Sequence, residues 1–218
     1  MSVVTIRGQL GSGAPEIGKM VADKLNTDYV DREIIAKVAE LLNTKTEDVI
    51  AKEMLPGTFL GRVAEALGRG HTIGSGYSVG GGYEGVYVPT WEVSLGDTRY
   101  LVGLKSIIKE LAGSKSIVIC GRGSQFILKD YPRVLHVLVV APLEMRLKSV
   151  MESLEVDEES AKREIARSDG GRREFIKRYF QAELENPMSY DMVLNAEHLS
   201  QEAATSIIVG ALPFKTEP

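Results

Sequence analysis

Residues 4–20 read VTIRGQLGSGAPEIGKM, and this segment is the strongest indicator of the fold. An apolar run enters a glycine-rich turn, and the turn opens into a helical pattern near Pro15, a residue favoured in the first turn of a helix. A strand, a glycine-rich turn and a helix in this order are typical of a loop that binds phosphate, because the helix N-terminus presents free N–H groups. A purely structural turn is the alternative interpretation.

The usual consensus of such a loop is glycine, any four residues, glycine, lysine, and then serine or threonine. If Gly8 and Gly13 are the two glycines, Ala14 stands at the lysine position and Pro15 at the hydroxyl position. This register follows the apolar strand directly and ends at the helix start, so it has the geometry that phosphate binding requires. It predicts that Gly8, Gly11, Ser12, Gly13 and Ala14 bind the phosphates of a nucleotide.

A second register uses Gly13 and Gly18 and gains Lys19, but Met20 then replaces the hydroxyl. Gly18 would lie inside the helix, and Lys19 would point away from its apolar stripe. We therefore predict that N–H groups of residues 9–14 bind phosphate and that Lys19 does not. The missing positive charge is expected from Arg7 at the strand end or from arginines farther along the chain.

Composition narrows the classes of function. The 218 residues carry a net charge of -4, with 44% hydrophobic and 26% charged residues, which is typical of a globular protein and gives no reason to expect nucleic-acid binding. No apolar run reaches the roughly 18 residues of a membrane span, and the N-terminus lacks the pattern of a signal peptide. Cys120 is the single cysteine, and the three histidines have no ligand spacing, so we expect a cytoplasmic protein without a resident metal site.

Strand-like and helical patterns alternate along the chain. Apolar strands are predicted at 3–6, in TDYV, in SIVIC and in VLHVLVVA, each followed by a helical pattern. This alternation predicts an α/β fold with a central parallel sheet covered by helices on both faces. Residues 68–85 contain eight glycines in eighteen residues. We predict a mobile flap there, with a plain linker as the alternative.

Three arginines are candidate anion ligands. Arg122 leaves the strand VIC between two glycines, where it could grip phosphate through two N–H groups or form a surface salt bridge. The basic stretch at 161–180 contains Arg167 and Arg172 on either side of an apparent SDGG break. Such a stretch is either a solvated helix face or a lid that carries charge onto a phosphoryl group around a glycine hinge.

Asp31 and Arg32 follow the second predicted strand, near the glycine-rich loop. Asp31 could orient a substrate, assist Mg²⁺ or cap the helix that follows. We predict that both residues contact the substrate.

The order of these motifs resembles the cytidylate kinase-like family of nucleoside monophosphate kinases. The resemblance runs from the N-terminus to about residue 208 and is carried by the glycine loop, DR, GRG, APLEMR, ARSDGGRR and SYDMVLNAEHLSQEAA. It implies a three-layer P-loop NTPase-type fold with a core at about 1–45 and 99–210, a helical and glycine-rich acceptor-side insertion at about 46–98, and an arginine-bearing lid at about 155–182, all in one domain.

The same resemblance implies roles for individual residues. Gly11, Ser12 and Gly13 would hold the donor phosphates. Arg122 would hold the acceptor and take part in catalysis, together with Arg167 and Arg172 on the lid. ATP and Mg²⁺ are the implied cofactors, and small-molecule nucleotides the implied partners. The chain departs from the family pattern at the loop lysine and hydroxyl and at Gly123, where the family has an acidic residue.

Three functions follow from these observations. The leading one is transfer of the γ-phosphoryl group of ATP to a CMP-like nucleoside monophosphate. A non-catalytic nucleotide-binding or regulatory protein is the second, and Pro15 at the hydroxyl position favours it. A kinase for a non-nucleotide small molecule is the third, because acceptor specificity would lie in the divergent region 50–98.

Overall fold

The computed structural model describes residues 2–31, 33–53 and 97–215. Within these residues five strands form one parallel sheet in the order β2-β3-β1-β4-β5. The strands are β1 (Val3–Gly8), β2 (Asp28–Val30), β3 (Ile117–Cys120), β4 (Val134–Val140) and β5 (Met192–Asn195). β1 is the central strand of the parallel sheet, so its carboxyl end lies in the middle of the row formed by the carboxyl ends of all five strands.

Eight α-helices lie among the described residues. They are α1 (Ala14–Leu25), α2 (Glu33–Leu42), α3 (Thr46–Glu53), α4 (Asp97–Ser114), α5 (Ser124–Ile127), α6 (Leu143–Leu154), α7 (Glu158–Phe180) and α8 (Gln201–Ala211). Short 3₁₀ helices occupy Pro187–Ser189 and Leu212–Phe214. None of the helices in this part of the chain is long and apolar enough to cross a membrane.

The helices cover both faces of the sheet. α1 and α8 bury their apolar residues with Val4, Ile6 and Val118 on one face. α2, α4 and the C-terminal part of α7 pack with Val3 and Ile117 on the other face. Successive residues of a strand point to opposite faces, so a strand covered on both faces has to be apolar along nearly its whole length. The predicted α/β fold with three layers is therefore confirmed.

Two local predictions need correction. Residues 192–195 form β5, which the sequence did not reveal as a strand. This strand has four residues and lies at the sheet edge, where Val193 stays 45% exposed, so its apolar signal is weak.

The predicted break at SDGG is wrong, because α7 runs without interruption from Glu158 to Phe180. Tertiary contacts made by Asp169 outweigh the low helix propensity of the two glycines that follow it. The glycine hinge inferred from this motif is therefore absent.

Some predictions concern residues outside the described ranges. These are the role of Arg32 and the glycine-rich flap at 68–85. The boundaries assigned to the insertion and the lid stay predictions. The described start of the insertion, α3, packs against α2 and contributes buried Val49 to the core.

Candidate active site

The glycine-rich loop joins the central strand to α1. Gly11 and Gly13 have φ values of 79° and 80°, in the left-handed region that suits glycine. A Cβ atom built on Gly8 would lie 2.3 Å from the Cβ of Ala14 and 2.4 Å from the Oγ of Ser12. The loop therefore closes back on its first residue, and position 8 has no room for a side chain.

Several polar groups of the loop have no partner among the described residues. The N–H groups of Gly11, Gly13 and Ala14 donate to no acceptor in that part of the chain. The hydroxyl of Ser12, which is 1% exposed, also lacks a hydrogen-bond partner. Unpaired donors at the start of a twelve-residue helix are an arrangement that binds anions. The loop therefore has the chemistry of a phosphate site.

The prediction that all N–H groups of residues 9–14 bind phosphate is too broad. Gln9 donates to the carbonyl of Val139 at 3.4 Å, and Ser12 donates to the carbonyl of Gln9 at 3.1 Å. The N–H of Leu10 donates to Asp169 Oδ1 at 3.2 Å. These bonds hold the loop in shape and narrow the candidate phosphate donors to residues 11, 13 and 14.

A buried ion pair holds the loop in place at Leu10. Arg146 on α6 pairs with Asp169 on α7, and both side chains are 7% exposed. Arg146 Nε also donates to the carbonyl of Leu10 at 2.8 Å, so the pair binds both backbone groups of one loop residue. Neither Arg146 nor Asp169 is a candidate loop contact from the sequence alone. No spacing pattern links two residues on different helices.

The second register of the loop does not fit the structure. Gly18 lies inside α1, where a Cβ atom would meet the ring of Tyr29 at 2.8 Å and Ile6 at 3.0 Å. This glycine therefore allows α1 to pack closely on the sheet. Lys19 is exposed on α1, one turn beyond the loop.

α7 brings one of the two predicted lid arginines onto the loop. Arg172 donates to the carbonyl of Gly8 at 3.3 Å, at the point where β1 ends. Arg167 instead pairs with Glu164 on its own helix at 2.9 Å. The predicted catalytic roles of both residues stay predictions, but only Arg172 has a described contact with the loop.

The turn after β3 holds Arg122 in a strained backbone conformation. Gly121, Arg122 and Gly123 have φ values of 72°, 57° and 67°. A non-glycine residue in this region costs about 1–2 kcal/mol, and such strain is concentrated at functional sites. The guanidinium lies 3.7 Å from the carboxylate of Asp31, so the structure brings these two predicted substrate residues together.

Gly123 stands where the family pattern has an acidic residue, and the structure supplies the reason. A Cβ atom built on Gly123 would lie 2.5 Å from the ring of Phe180, which stacks on Phe126 with ring centroids 5.5 Å apart. The aromatic pair therefore fills the space that an aspartate side chain would need.

A second buried arginine, which the sequence placed at a strand end, lies beside the loop. Arg7 is 7% exposed and makes no hydrogen bond or ion pair with any described residue. Burial, together with the nearby charge of Arg172, lowers the pKa of Arg7 to about 10, although Tyr190 and Asp169 act in the opposite direction. The guanidinium stays charged at neutral pH.

The lone cysteine is not suited to nucleophilic chemistry. Cys120 ends β3 in the core, and burial raises the pKa of its thiol to about 11. Burial, together with the neighbouring Cys120, also raises the pKa of the Tyr29 hydroxyl. Across the residues that the structure describes, no three His, Cys, Asp or Glu side chains cluster as metal ligands.

Sequence and structure comparisons agree with this architecture. The sequence model of the cytidylate kinase-like family matches residues 3–198. No protein with a curated description matches the sequence. A crystal structure of an uncharacterized protein from Eubacterium ventriosum ATCC 27560 is similar, with a TM-score of 0.65 and 19% identity over 98% of this chain and 99% of the other.

A shikimate kinase from Bacteroides thetaiotaomicron shares the fold at lower similarity. Its TM-score is 0.51 and its identity 11%, over 97% of this chain and 98% of the other. The family match covers most of the chain, and the parallel sheet with its loop is that of a P-loop kinase. The chain therefore belongs to the cytidylate kinase-like family.

Proposed function

We propose that this member of the cytidylate kinase-like family transfers the γ-phosphoryl group of ATP to a nucleoside monophosphate similar to CMP. The observation that carries the proposal is the loop, in which three unpaired N–H groups and the buried Ser12 hydroxyl meet at the N-terminus of α1. Such a site suits the phosphates of ATP, and ATP as donor fits the expected cytoplasmic location.

Arg172 would supply the charge that the loop lacks. Phosphoryl transfer depends mainly on positioning and on neutralising charge, so a guanidinium near the loop can act in place of the loop lysine. Arg172 contacts the carbonyl of Gly8, the first loop residue, and reaches it from α7. We therefore favour Arg172 over Arg7 and Arg167 as the cation that replaces the loop lysine.

On the acceptor side, Arg122 and Asp31 form the candidate recognition pair, and Arg32 stays a prediction from the sequence. An oxygen of the acceptor phosphate would attack the γ-phosphorus of ATP. The bond from that phosphorus to the oxygen it shares with the β-phosphate breaks, and ADP leaves with the electron pair. The attacking oxygen is already ionised at neutral pH, so no general base is needed.

The described residues fit ATP phosphates better than they fit a protein-bound Mg²⁺. Pro15 occupies the position of the usual hydroxyl ligand, and Asp169 is engaged by Arg146 and Leu10. Mg²⁺ is often held by phosphates and water with few protein ligands. The cation would therefore arrive bound to ATP and neutralise phosphate charge there.

A non-catalytic nucleotide-binding protein is the second candidate. Ala14 and Pro15 remove the lysine and the hydroxyl that most P-loop kinases use. A kinase for a non-nucleotide acceptor is the third, and the filled space at Gly123 favours it over strict cytidine recognition.

Measuring ADP formation against a panel of acceptors separates the three. The panel contains CMP, the other nucleoside monophosphates and small hydroxylated acids, each with ATP and Mg²⁺, while ATP affinity is measured separately. We expect ADP formation that depends on a nucleoside monophosphate. ATP binding without turnover on any acceptor would contradict the proposal and support the non-catalytic protein, whereas turnover on an acid alone would support the third candidate.

A further inference from the structure

Arg7 is an unusual residue for a protein interior. Its guanidinium carries five N–H donors, yet none of them bonds to a described residue. A buried charge without a hydrogen-bond partner is strongly unfavourable unless another group compensates for it. The protein thus keeps a largely buried charge at the carboxyl end of its central strand, where desolvation disfavours the charged form.

Two more unpaired polar atoms lie next to this strand end. Ile6 pairs with Cys120 across the sheet, so Arg7 is level with the turn that leads into α5, and α5 packs against β1. Ser124 and Gln125 begin α5 and are 1% and 2% exposed. Neither Ser124 Oγ nor Gln125 Oε1 has a hydrogen-bond partner in the described chain.

Tyr190 links these groups and fixes their orientation. Its hydroxyl donates to the carbonyl of Leu184 at 2.5 Å and accepts a bond from Gln125 Nε2 at 3.0 Å. The amide of Gln125 is thereby anchored through its nitrogen, and its oxygen is left available. Tyr190 is also close enough to Arg7 to influence its pKa.

The three groups together define the chemistry of a ligand. Arg7 offers donors to an anion, Ser124 offers a hydroxyl, and Gln125 offers an acceptor. Arg172 adds positive charge nearby, while Asp169 is already engaged by Arg146. A group that satisfies all of them is an anion with a hydroxyl or N–H donor beside it.

We propose that Arg7, Ser124 and Gln125 form a subsite that binds the anionic group of the acceptor substrate. The proposal rests on the proposed phosphotransferase function and adds a specificity determinant to it. Arg7 and Ser124 bind the anion, and Gln125 accepts a hydrogen bond from an adjacent hydroxyl or N–H. The anion is a phosphate monoester or a carboxylate. Binding probes of both types distinguish the two.

The first test is the variant Arg7→Met, which removes the charge and keeps a similar apolar volume. Thermal melting is measured without ligand, and affinities for ATP, CMP, inorganic phosphate and glycerate are measured by calorimetry. We expect the melting temperature to rise by a few degrees, acceptor-probe affinity to fall at least tenfold, and ATP affinity to change less than twofold. A phosphate site binds CMP and inorganic phosphate, whereas a carboxylate site prefers glycerate.

A second variant tests the cluster without removing the arginine. Gln125→Glu introduces a carboxylate into the proposed subsite, where it would imitate the bound anion. We expect a higher melting temperature and loss of acceptor-probe binding. Arg163→Met is the control, because Arg163 is an exposed arginine paired with Glu159 on the surface of α7. Its melting temperature and affinities should stay at wild-type values.

Three other results would each contradict the proposed subsite. A lower melting temperature for Arg7→Met would show that Arg7 is a structural residue. Unchanged acceptor affinity in a stable Arg7→Met protein would place the anion elsewhere. If the wild-type protein binds none of CMP, inorganic phosphate and glycerate, the polar groups of Arg7, Ser124 and Gln125 bond only to ordered water and form no ligand site. None of these measurements requires turnover, so a failure of the phosphotransferase proposal is detected separately in the ADP assay.

Discussion

Two arginines of this protein are equally buried but differ completely in their contacts. Arg146 is 6% exposed and Arg7 is 7% exposed. Arg146 pairs with Asp169 and donates to the carbonyl of Leu10, whereas Arg7 has no hydrogen-bond partner among the described residues. Both arginines lie beside the same loop, so their positions do not explain why only Arg146 has partners.

This difference indicates that Arg146 has a structural role at the site, whereas Arg7 is available to bind a ligand. The Arg146–Asp169 pair satisfies its own charges and fixes the loop through Leu10, so its role is complete without substrate. Arg7 retains its donors and stays charged at neutral pH. Loss of the first should destabilise the protein, and loss of the second should stabilise the free protein.

The largest effect is expected from breaking the satisfied pair. Asp169→Asn leaves Arg146 buried with its charge uncompensated and should lower the free energy of unfolding by about 3–5 kcal/mol. Urea denaturation measures it, with Glu159→Gln as the control on the same helix, since Glu159 is 79% exposed. The double replacement Arg146→Met with Asp169→Leu should recover much of the loss. A loss below about 1 kcal/mol would show that the pair does not hold the loop.

The next effect concerns Arg172, which contacts the loop at Gly8. Arg172→Ala should lower turnover by about 10²–10³, because one electrostatic contact to developing charge is removed, and should weaken ATP binding much less. Steady-state kinetics measures both, with Arg163→Ala as the exposed control on α7. Equal losses in turnover and ATP binding would mean that Arg172 binds the ground state and does not neutralise the transition state.

A smaller effect follows from the pKa of Arg7, lowered to about 10 by burial and by Arg172. Above pH 10 the folded protein loses this proton while the unfolded chain keeps it, so the stability of the wild type rises with pH through this group. Relative to Arg7→Met, the wild type should gain about 1 kcal/mol of unfolding free energy between pH 8 and pH 11. Urea denaturation of both proteins at these pH values measures the gain. A constant difference would show that Arg7 is compensated in the folded state.

The smallest effect is expected at Lys19, which is exposed on α1. Lys19→Ala should change ATP affinity and turnover by less than about twofold, because an exposed charge one turn beyond the loop contributes little. Titration with ATP and the ADP assay check this. A large loss would restore the register that uses Gly13 and Gly18.

The sequence predicts much of the fold because periodic apolar patterns report which faces are buried. β1, β4 and the helices that flank them carry strong patterns, and the strand–turn–helix order identifies the loop. β5 is not predicted from the sequence, because it is short and half-exposed at the sheet edge. The apparent SDGG break misleads because local propensity favours it, whereas the long-range pairing of Asp169 keeps α7 continuous.

The site is less predictable because its contacts join distant residues. Arg172 could be named from the basic stretch, but its contact with Gly8 spans 164 positions. Nothing in the local sequence shows that Asp169 is the charge that turns inward while Glu164 pairs along the helix. Arg7 was expected at a strand end, but its burial without a partner depends on packing by α5 and α7.

Phosphate binding by the loop is tested most directly by an amide NMR titration of the wild-type protein with a non-hydrolysable ATP analogue and Mg²⁺. We expect the largest shifts at the amides of Gly11, Gly13 and Ala14, because these N–H groups have no partner among the described residues. Lys19 should shift little, and the shifts should persist in Lys19→Ala. Saturable binding with unchanged loop amides, or with the main shifts around Gly18 and Lys19, would contradict the claim that this loop binds the phosphates.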